Sequence, residues 1–201
     1  MDIKICGIRR MEDIEIVNKY KPEYIGFIFA PTRRYVSPEF AAELKSHLAD
    51  GIKAVGVFVN ENSETVLEIA KTVPLDVIQL HGDEDEDYIK SLGNSFKIWK
   101  AVRISGGEKI PQISGADRIL LDKYDANEYG GIGKTFDWSA GAEIKDKIPV
   151  MLAGGLNSEN VLRGMEIFNP AGVDVSSGVE TDGVKDEEKI KEFIKTVRGQ
   201  I

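Results

Sequence analysis

Short apolar runs alternate with amphipathic segments along the whole chain. The runs are rich in Val, Ile and Leu, which is typical of strands that are buried on both faces of a parallel sheet. They lie at residues 3–8, 24–30, 53–59, 77–81, 97–103, 118–122, 150–153 and 173–176. The pattern therefore predicts eight strands with a mean period of about 25 residues.

Between the apolar runs, hydrophobic residues follow a helical spacing. Residues 10–20, for example, place Met11, Ile14 and Val17 on one face of a helix. A Ser followed by Pro and Glu at residues 37–39 is a typical helix start. Helices are predicted over residues 10–20, 84–92 and 187–197. Four further helices are predicted to begin at Ser37, at Ser63, near Trp138, and at Asn157 or Ser158.

Strands and helices that alternate in this way predict an α/β protein with a parallel sheet covered by helices. Eight strand–helix units point to one closed (β/α)8 barrel, the TIM barrel, and we expect residues 1–201 to form a single domain. An open, doubly wound sheet is the alternative. It is less favoured because the glycine-rich turns that suit phosphate follow the last two predicted strands and not the first.

Composition narrows the class of ligand. The net charge of −8 and the pI near 5.0 argue against a general nucleic-acid or anionic-membrane surface. No apolar run approaches the length of a membrane span, and the first residues lack the pattern of a signal peptide. We expect a cytoplasmic protein that binds a small molecule, as a monomer or a homodimer, without a nucleic-acid or membrane partner.

Polar residues accumulate where the predicted strands end. The carboxyl ends of the strands build the active site in a (β/α)8 barrel, whereas a packed core avoids charged side chains. The candidates for catalysis and substrate binding at these ends are Cys6, Arg34, His81, Asp122 and Asp174.

Strand geometry links some of these candidates to their neighbours. Side chains alternate between the two faces of a strand, so Lys4 shares a face with Cys6, and Gln79 shares one with His81. If Cys6 points into the barrel, Lys4 does too, and a buried lysine needs a partner. We predict that Asp174 is this partner.

Cys6 is the only cysteine of the chain, so it forms no disulfide within it. A lone cysteine is most often a small buried hydrophobic residue, and its presence fits a reducing compartment. Thiolates form more readily near cations and hydrogen-bond donors. If Cys6 is catalytic, we therefore expect its surroundings to be polar and not sealed in the core.

Two turns have the composition of a phosphate site. Gly154 and Gly155 end the seventh predicted strand and precede a helix, where backbone N–H groups and the helix dipole favour an anion. Ser176 and Ser177 follow the eighth strand and supply hydroxyl groups. Either turn alone could be an ordinary tight turn, but paired phosphate loops after strands seven and eight recur in barrels.

A long polar loop follows the sixth predicted strand, over residues 123–137. Its glycines lack the spacing of a dinucleotide-binding loop, and no helix opens directly after them. A loop of this length in a compact domain is more often a lid over a site.

Jointly, these stretches resemble those of the phosphoribosylanthranilate isomerases, a family of tryptophan biosynthesis. No stretch is specific alone, but they follow one another in order along the whole chain. The matching segments are residues 4–8, 55–60, 79–82, 121–122, 130–138, 152–156 and 173–180.

The resemblance implies an Amadori-type isomerisation of N-(5-phosphoribosyl)anthranilate to 1-(2-carboxyphenylamino)-1-deoxyribulose 5-phosphate, with no cofactor and no metal. The family's general base matches Cys6, its general acid matches Asp122, and its anthranilate-contacting arginine matches Arg34. The two glycine and serine turns match its phosphate loops, and His81 and Asp174 are the further candidates for substrate contact.

The residue types agree with this chemistry. A carboxylic acid can protonate the ring oxygen of the sugar, a thiolate can accept the proton from C2′, and a guanidinium can pair with the anthranilate carboxylate. The chain departs from the family at Thr32-Arg33-Arg34, where Ser-x-Arg is usual. We assign the ligand contact to Arg34 because the expected Tyr35 and Val36 follow it.

Two other functions compete with this prediction. A ribulose-phosphate epimerase would need His and Asp metal ligands at several strand ends, and only His81 is available. A barrel that only binds a phosphorylated metabolite would leave Cys6 and Asp122 dispensable.

Overall fold

The eight predicted strands close into one parallel barrel in the computed structural model, which describes residues 1–104, 113–123 and 148–199. Each strand pairs with its successor, and β1 also pairs with β8, which closes the sheet and rules out the open alternative. The strands are β1 Asp2–Cys6, β2 Tyr24–Ile28, β3 Lys53–Phe58, β4 Val77–Leu80, β5 Lys97–Ile104, β6 Arg118–Lys123, β7 Val150–Leu152 and β8 Gly172–Val175.

Six α-helices cover the barrel within the described ranges. They are α1 Met11–Tyr20, α2 Pro38–Ser46, α3 Ser63–Thr72, α4 Glu86–Ser91, α5 Val161–Phe168 and α6 Glu187–Val197. A short 3-10 turn, Ser177–Val179, and a hairpin of β9 Glu180–Thr181 and β10 Val184–Lys185 lie between β8 and α6. The predicted lid beyond Lys123 and the predicted helix near Trp138 lie outside the described residues.

Side-chain caps set most of the helix starts. The Ser37 hydroxyl accepts a hydrogen bond from the N–H of Phe40, as the sequence predicts for the start of α2. The cap of α3 is Asn62, one residue before the predicted Ser63. The predicted start at Asn157 or Ser158 is too early, since α5 begins only at Val161.

The late start of α5 has a local cause. The side-chain oxygen of Asn157 accepts hydrogen bonds from the N–H groups of Glu159 and Asn160. These bonds hold the segment in a turn that competes with the first helical turn.

The core has two layers, one inside the barrel and one between the barrel and the helices. Inward-facing residues on alternate strand positions form the smaller cluster, which comprises Val55, Val77, Trp99, Ala101, Leu120, Met151 and Ala153. The larger cluster, with Ile3, Ile5, Phe27 and Phe193 among its members, packs the outer face of the strands against the helices. Polar side chains lie on both sides of this apolar layer, with Arg118 and Asp2 paired at the amino ends of the strands and the site candidates at the carboxyl ends.

No helix in the described parts of the chain combines the length and apolar character needed to cross a bilayer.

Candidate active site

The thiol of Cys6 lies inside the barrel at the last residue of β1, and only 6% of the residue is exposed. Gly26 on β2 makes room for it: a Cβ atom added there would lie 2.8 Å from the Cys6 Sγ atom and 3.2 Å from Cε of Lys4. Both side chains therefore reach into the space that the glycine leaves open, as the alternation of side chains along β1 predicts.

Lys4 and Asp174 form a buried ion pair directly below this thiol. The two residues are register partners on β1 and β8, and Lys4 Nζ lies 3.0 Å from Asp174 Oδ1. The predicted pairing is therefore confirmed. Burial would lower the pKa of Lys4, but the carboxylate of Asp174 opposes this effect, and the net pKa is above the ordinary value. Lys4 is a cation inside the barrel.

The expectation that Cys6 avoids a sealed environment is wrong in one respect. The residue is buried, and burial raises the pKa of its thiol above the ordinary value. The positive charges of Lys4 and Lys185 oppose this effect, whereas the negative charge of Asp174 adds to it, and the net pKa of the thiol stays above its ordinary value. The two lysines are the groups that would stabilise a thiolate at this position.

Asp122 and His81 are joined by a hydrogen bond at the carboxyl end of the barrel. His81 follows β4, and its Nε2 atom lies 3.0 Å from Oδ2 of Asp122 on β6. The other ring nitrogen, Nδ1, lies 3.0 Å from the side-chain nitrogen of Gln79. Asp122, the candidate acid, therefore lies at the end of a row of three polar side chains. The sequence predicts that Gln79 shares a face with His81 but indicates no role for it.

Arg34 lies next to the start of the loop that follows β1. A Cβ atom at Gly7 would lie 2.7 Å from Cδ of Arg34, so the arginine stem packs directly over this glycine. Its Nε and Nη2 atoms donate to the two carboxylate oxygens of Glu180, at 2.7 and 2.9 Å. The Arg34 side chain is 13% exposed, whereas that of Arg33 is 60% exposed. Arg34 is the arginine packed against the candidate site.

Glu180 is the centre of a cluster that the sequence did not indicate. Its carboxylate also accepts hydrogen bonds from Arg33 and from the buried Lys185. Burial alone would raise the pKa of Glu180, but its bonds to Arg34 and Lys185 lower it to about 2. Burial in turn lowers the pKa of Lys185, and Glu180 partly offsets this. The short β9–β10 hairpin places Lys185 opposite Glu180 in register, and the segment after β2 supplies the two arginines.

The two predicted phosphate turns lie against each other. Gly154 and Gly155 both adopt left-handed backbone conformations, with φ of 84° and 72°, which favour glycine. In the second turn, a Cβ atom at Gly178 would overlap the carbonyl oxygen of Leu156. The loops after β7 and β8 therefore form one continuous surface.

The second turn is also tied to the candidate base. The hydroxyl of Ser176 donates a hydrogen bond to the carbonyl oxygen of Cys6, at 3.1 Å. Ser177 opens the 3-10 turn that follows. The candidate phosphate surface and the candidate thiol thus share a boundary at the ends of β1 and β8.

In the described ranges, three or more His, Cys, Asp or Glu side chains nowhere converge in a way that could hold a metal ion. A thiol, a hydrogen-bonded carboxyl group and two adjoining turns instead lie at the carboxyl ends of the strands. This is the end of a (β/α)8 barrel at which the enzymes of this fold carry their active sites, and the arrangement places the chain in that class.

Comparison with known proteins specifies the family. The model of the N-(5′-phosphoribosyl)anthranilate isomerase family matches residues 3–196, and the chain belongs to this family. It is accordingly an isomerase.

Relatives match along their whole length. The chain is 54% identical to the N-(5′-phosphoribosyl)anthranilate isomerase of Clostridium acetobutylicum, over 98% of this chain and 97% of the relative. The crystal structure of the Thermotoga maritima isomerase is 38% identical and superimposes with a TM-score of 0.88, over 99% of both chains. A structure of the isomerase with reduced 1-(o-carboxyphenylamino)-1-deoxyribulose 5-phosphate is 35% identical, with a TM-score of 0.85 over 99% of both chains.

Proposed function

We propose that the chain converts N-(5′-phosphoribosyl)anthranilate to 1-(2-carboxyphenylamino)-1-deoxyribulose 5-phosphate, with Asp122 as the general acid and Cys6 as the general base. The observation that carries these roles is that a thiol and a carboxyl group both lie at the carboxyl end of one closed barrel, on β1 and β6. Two groups that move protons, placed around one opening, suit a reaction that needs one proton delivered and another removed.

In the first step, Asp122 donates its proton to the ring oxygen of the sugar. The bond between this oxygen and C1′ breaks, and the lone pair of the anthranilate nitrogen forms the double bond of a cationic Schiff base. Asp122 is left as a carboxylate, which accepts a hydrogen bond from His81 if Nε2 carries the imidazole proton.

In the second step, the Cys6 thiolate removes the proton from C2′. The electrons of the C2′–H bond form a double bond between C1′ and C2′, and the nitrogen becomes neutral again. The resulting enol then tautomerises to the ketone: the hydroxyl group on C2′ loses its proton, and C1′ gains one. The Schiff-base cation and Lys4 both favour the thiolate, which offsets the effect of burial on the thiol pKa.

The rest of the site binds the two ends of the substrate. Arg34 uses Nε and Nη2 for Glu180, which leaves Nη1 for the anthranilate carboxylate. The turns at Gly154–Gly155 and Ser176–Ser177 face the phosphate, while His81 and Asp174 contact the sugar portion between them. We further infer a cytoplasmic setting, because a catalytic thiol must stay reduced, and action as a monomer or homodimer.

The test follows the conversion of phosphoribosylanthranilate by fluorescence. Cys6→Ser and Asp122→Asn are each expected to lower kcat by about 10²- to 10⁴-fold, the usual contribution of a general acid or base. Asp50→Asn, which changes an exposed carboxylate, is the control and should be unchanged. Normal turnover in both site variants would contradict the acid–base pair, and a wild type without turnover would favour a barrel that only binds.

A second pair of variants tests the arginine assignment. Arg34→Ala is expected to raise KM by about tenfold or more, since a charge-assisted bond to a carboxylate contributes about 1.5–3 kcal/mol. Arg33→Ala is the matched control because Arg33 also binds Glu180 but is mostly exposed. The reverse result would move the carboxylate contact to Arg33.

A further inference from the structure

Gln79, His81 and Asp122 form a row of hydrogen-bonded side chains that ends at the proposed acid. Gln79 on β4 is 1% exposed, and its side-chain nitrogen lies 3.0 Å from Nδ1 of His81. The opposite ring nitrogen lies 3.0 Å from Oδ2 of Asp122. The two ring nitrogens of His81 thus have different partners: the uncharged amide of Gln79 at Nδ1 and the carboxyl group of Asp122 at Nε2.

The orientation of the Gln79 amide decides which ring nitrogen of His81 carries a proton. With its nitrogen towards the ring, Gln79 leaves its own Oε1 buried, and this oxygen has no hydrogen-bond partner among the described residues. The reverse orientation would bury two N–H groups in its place. A buried carbonyl oxygen without a partner is less unusual than a buried N–H without one. The amide is therefore a donor to Nδ1.

This assignment fixes the state of the imidazole. Nδ1 accepts a hydrogen bond, so the single proton of the neutral ring lies on Nε2 and is donated to Oδ2 of Asp122. A doubly protonated ring would direct an N–H of Nδ1 against the N–H of Gln79. The buried amide thus opposes the imidazolium form of His81.

The charge of His81 matters for the acid beside it. An imidazolium would favour the ionised carboxylate and so withhold the proton that a general acid must donate. A neutral imidazole leaves Asp122 able to hold a proton on Oδ1 while Oδ2 accepts the bond from the ring. Once Oδ1 has given up its proton, the same bond becomes charge-assisted and stronger.

The other charged groups around His81 bind its backbone or its loop. Arg103 on β5, the register partner of Asp122, donates from Nη2 to the carbonyl oxygen of His81 at 2.9 Å. Glu84 and Lys100 pair with each other and bind the backbone of the next residue, Gly82. On β3, the register partner of Gln79 is the uncharged Val57. Within the described ranges, Asp122 is the charged group bonded to the ring.

We propose that Gln79 is a positioning residue that keeps His81 neutral, with its proton on Nε2. The ring then places no full positive charge beside the protonated Asp122, and its N–H stabilises the carboxylate that remains after the proton has passed to the sugar. The proposal rests on the proposed role of Asp122 as general acid. Gln79 is hydrogen-bonded to His81, and its role passes through the imidazole.

Substitutions at Gln79 test this role by reversing or removing the amide donor. In Gln79→Glu, a carboxylate faces Nδ1, accepts its N–H and stabilises the imidazolium. The alkaline limb of the kcat–pH profile should then move to lower pH. At neutral pH, kcat should fall by at least about tenfold, which is less than the full contribution of a general acid. Gln79→Met keeps the volume without a donor, so turnover should fall less, and the alkaline limb should move less, than in Gln79→Glu.

Nitrogen NMR of the imidazoles gives a readout that does not depend on turnover. The chain has two histidines, and the exposed His47 serves as the internal reference. At neutral pH, His81 should show the Nε2–H tautomer in the wild type, a mixture of tautomers in Gln79→Met, and imidazolium in Gln79→Glu. A wild-type spectrum with the proton on Nδ1 would overturn the proposal.

The experiment separates this proposal from the proposed function. If Asp122→Asn keeps full turnover, the acid assignment fails, whereas the tautomer spectra still report on Gln79. If Asp122→Asn is inactive but both Gln79 variants keep the wild-type pH profile and spectrum, the role of Gln79 alone fails. In the Asp122→Asn background, Gln79→Glu should cost no further turnover, because its effect passes through the carboxyl group; an additive loss would point to a merely structural role.

Discussion

Lys4 and Asp174 pair across the seam where the last strand of the barrel meets the first. Their Nζ–Oδ1 distance is 3.0 Å, and neither side chain is more than 9% exposed. The pair both closes the barrel at the β1–β8 junction and places a positive charge beneath Cys6. A single contact therefore connects the stability of the fold with the ionisation of the proposed base.

Removal of one partner of the Lys4–Asp174 pair should strongly destabilise the folded protein. Lys4→Met leaves the carboxylate of Asp174 buried without its cation, and we expect the free energy of unfolding to fall by about 3–5 kcal/mol. The control is Lys97→Met, which breaks a pair with Asp117 of similar length, 2.8 Å, on a lysine that is 69% exposed. That change should cost at most about 1 kcal/mol. Urea unfolding at neutral pH measures both, and equal losses would contradict the importance of burial.

The same lysine should influence the thiol. Burial raises the pKa of Cys6, so we expect the ultraviolet absorbance of the thiolate to appear with a midpoint above 9.0, the ordinary value for this group. Lys4→Met should move the midpoint higher still, because the opposing positive charge is lost. Cys6 is the only cysteine, so Cys6→Ser supplies a clean blank. A midpoint below 9.0 in the unliganded wild type would show that burial does not dominate.

Sequence reasoning succeeded where a regular period governs the structure. The hydrophobic period indicates the barrel, and the two-residue alternation places Lys4 on the same face of β1 as Cys6. The pairing with Asp174 is predicted because a buried lysine needs a counter-charge. In the structure, the closed sheet makes the first and last strands neighbours and places the two residues in register. These inferences depend only on strand geometry and charge.

Contacts that leave no regular pattern in the sequence could not be predicted. His81 reaches Asp122 from β4 to β6, past β5, which depends on barrel curvature and on side-chain rotamers. Glu180 meets Arg34 across 146 residues because the segments after β8 and β2 flank β1 on its two sides, and two strands of only two residues each place Lys185 opposite Glu180. Such strands are too short to leave a hydrophobic pattern, and this cluster was therefore missed.

Glu180 should make the stability depend on pH in the acid range. Its pKa is lowered from 4.5 to about 2 in the folded protein, against the effect of burial, by its bonds to Arg34 and Lys185. A depressed carboxyl pKa contributes stability that is present above the unfolded value and is lost as pH falls from 4.5 towards about 2. The unfolding free-energy difference between the wild type and Glu180→Gln should thus shrink over this range.

Urea unfolding at several pH values between about 6 and 2.5 measures this change. The control is Glu68→Gln, which changes an exposed carboxylate on α3, so little difference is expected at any pH. A Glu180→Gln difference that stays constant with pH would contradict the ionised cluster.

The close contact between the two proposed phosphate turns gives the last prediction. The backbone of Gly178 is not in the left-handed region, so alanine is acceptable there in conformation, but its Cβ would overlap the carbonyl oxygen of Leu156. In Gly178→Ala the turns must move apart, and we expect KM to rise by about tenfold, equivalent to about 1.4 kcal/mol, with a smaller change in kcat.

Inhibition by inorganic phosphate should weaken in parallel, because the turns would bind the phosphate group itself. Glu159→Ala is the matched control, since Glu159 is exposed in the same surface and its backbone bond to Asn157 does not need the side chain. Circular dichroism of Gly178→Ala checks that the barrel is folded. If a folded Gly178→Ala variant binds phosphate and substrate as the wild type does, the anion is held elsewhere, and the assignment of these turns to the phosphate group is wrong.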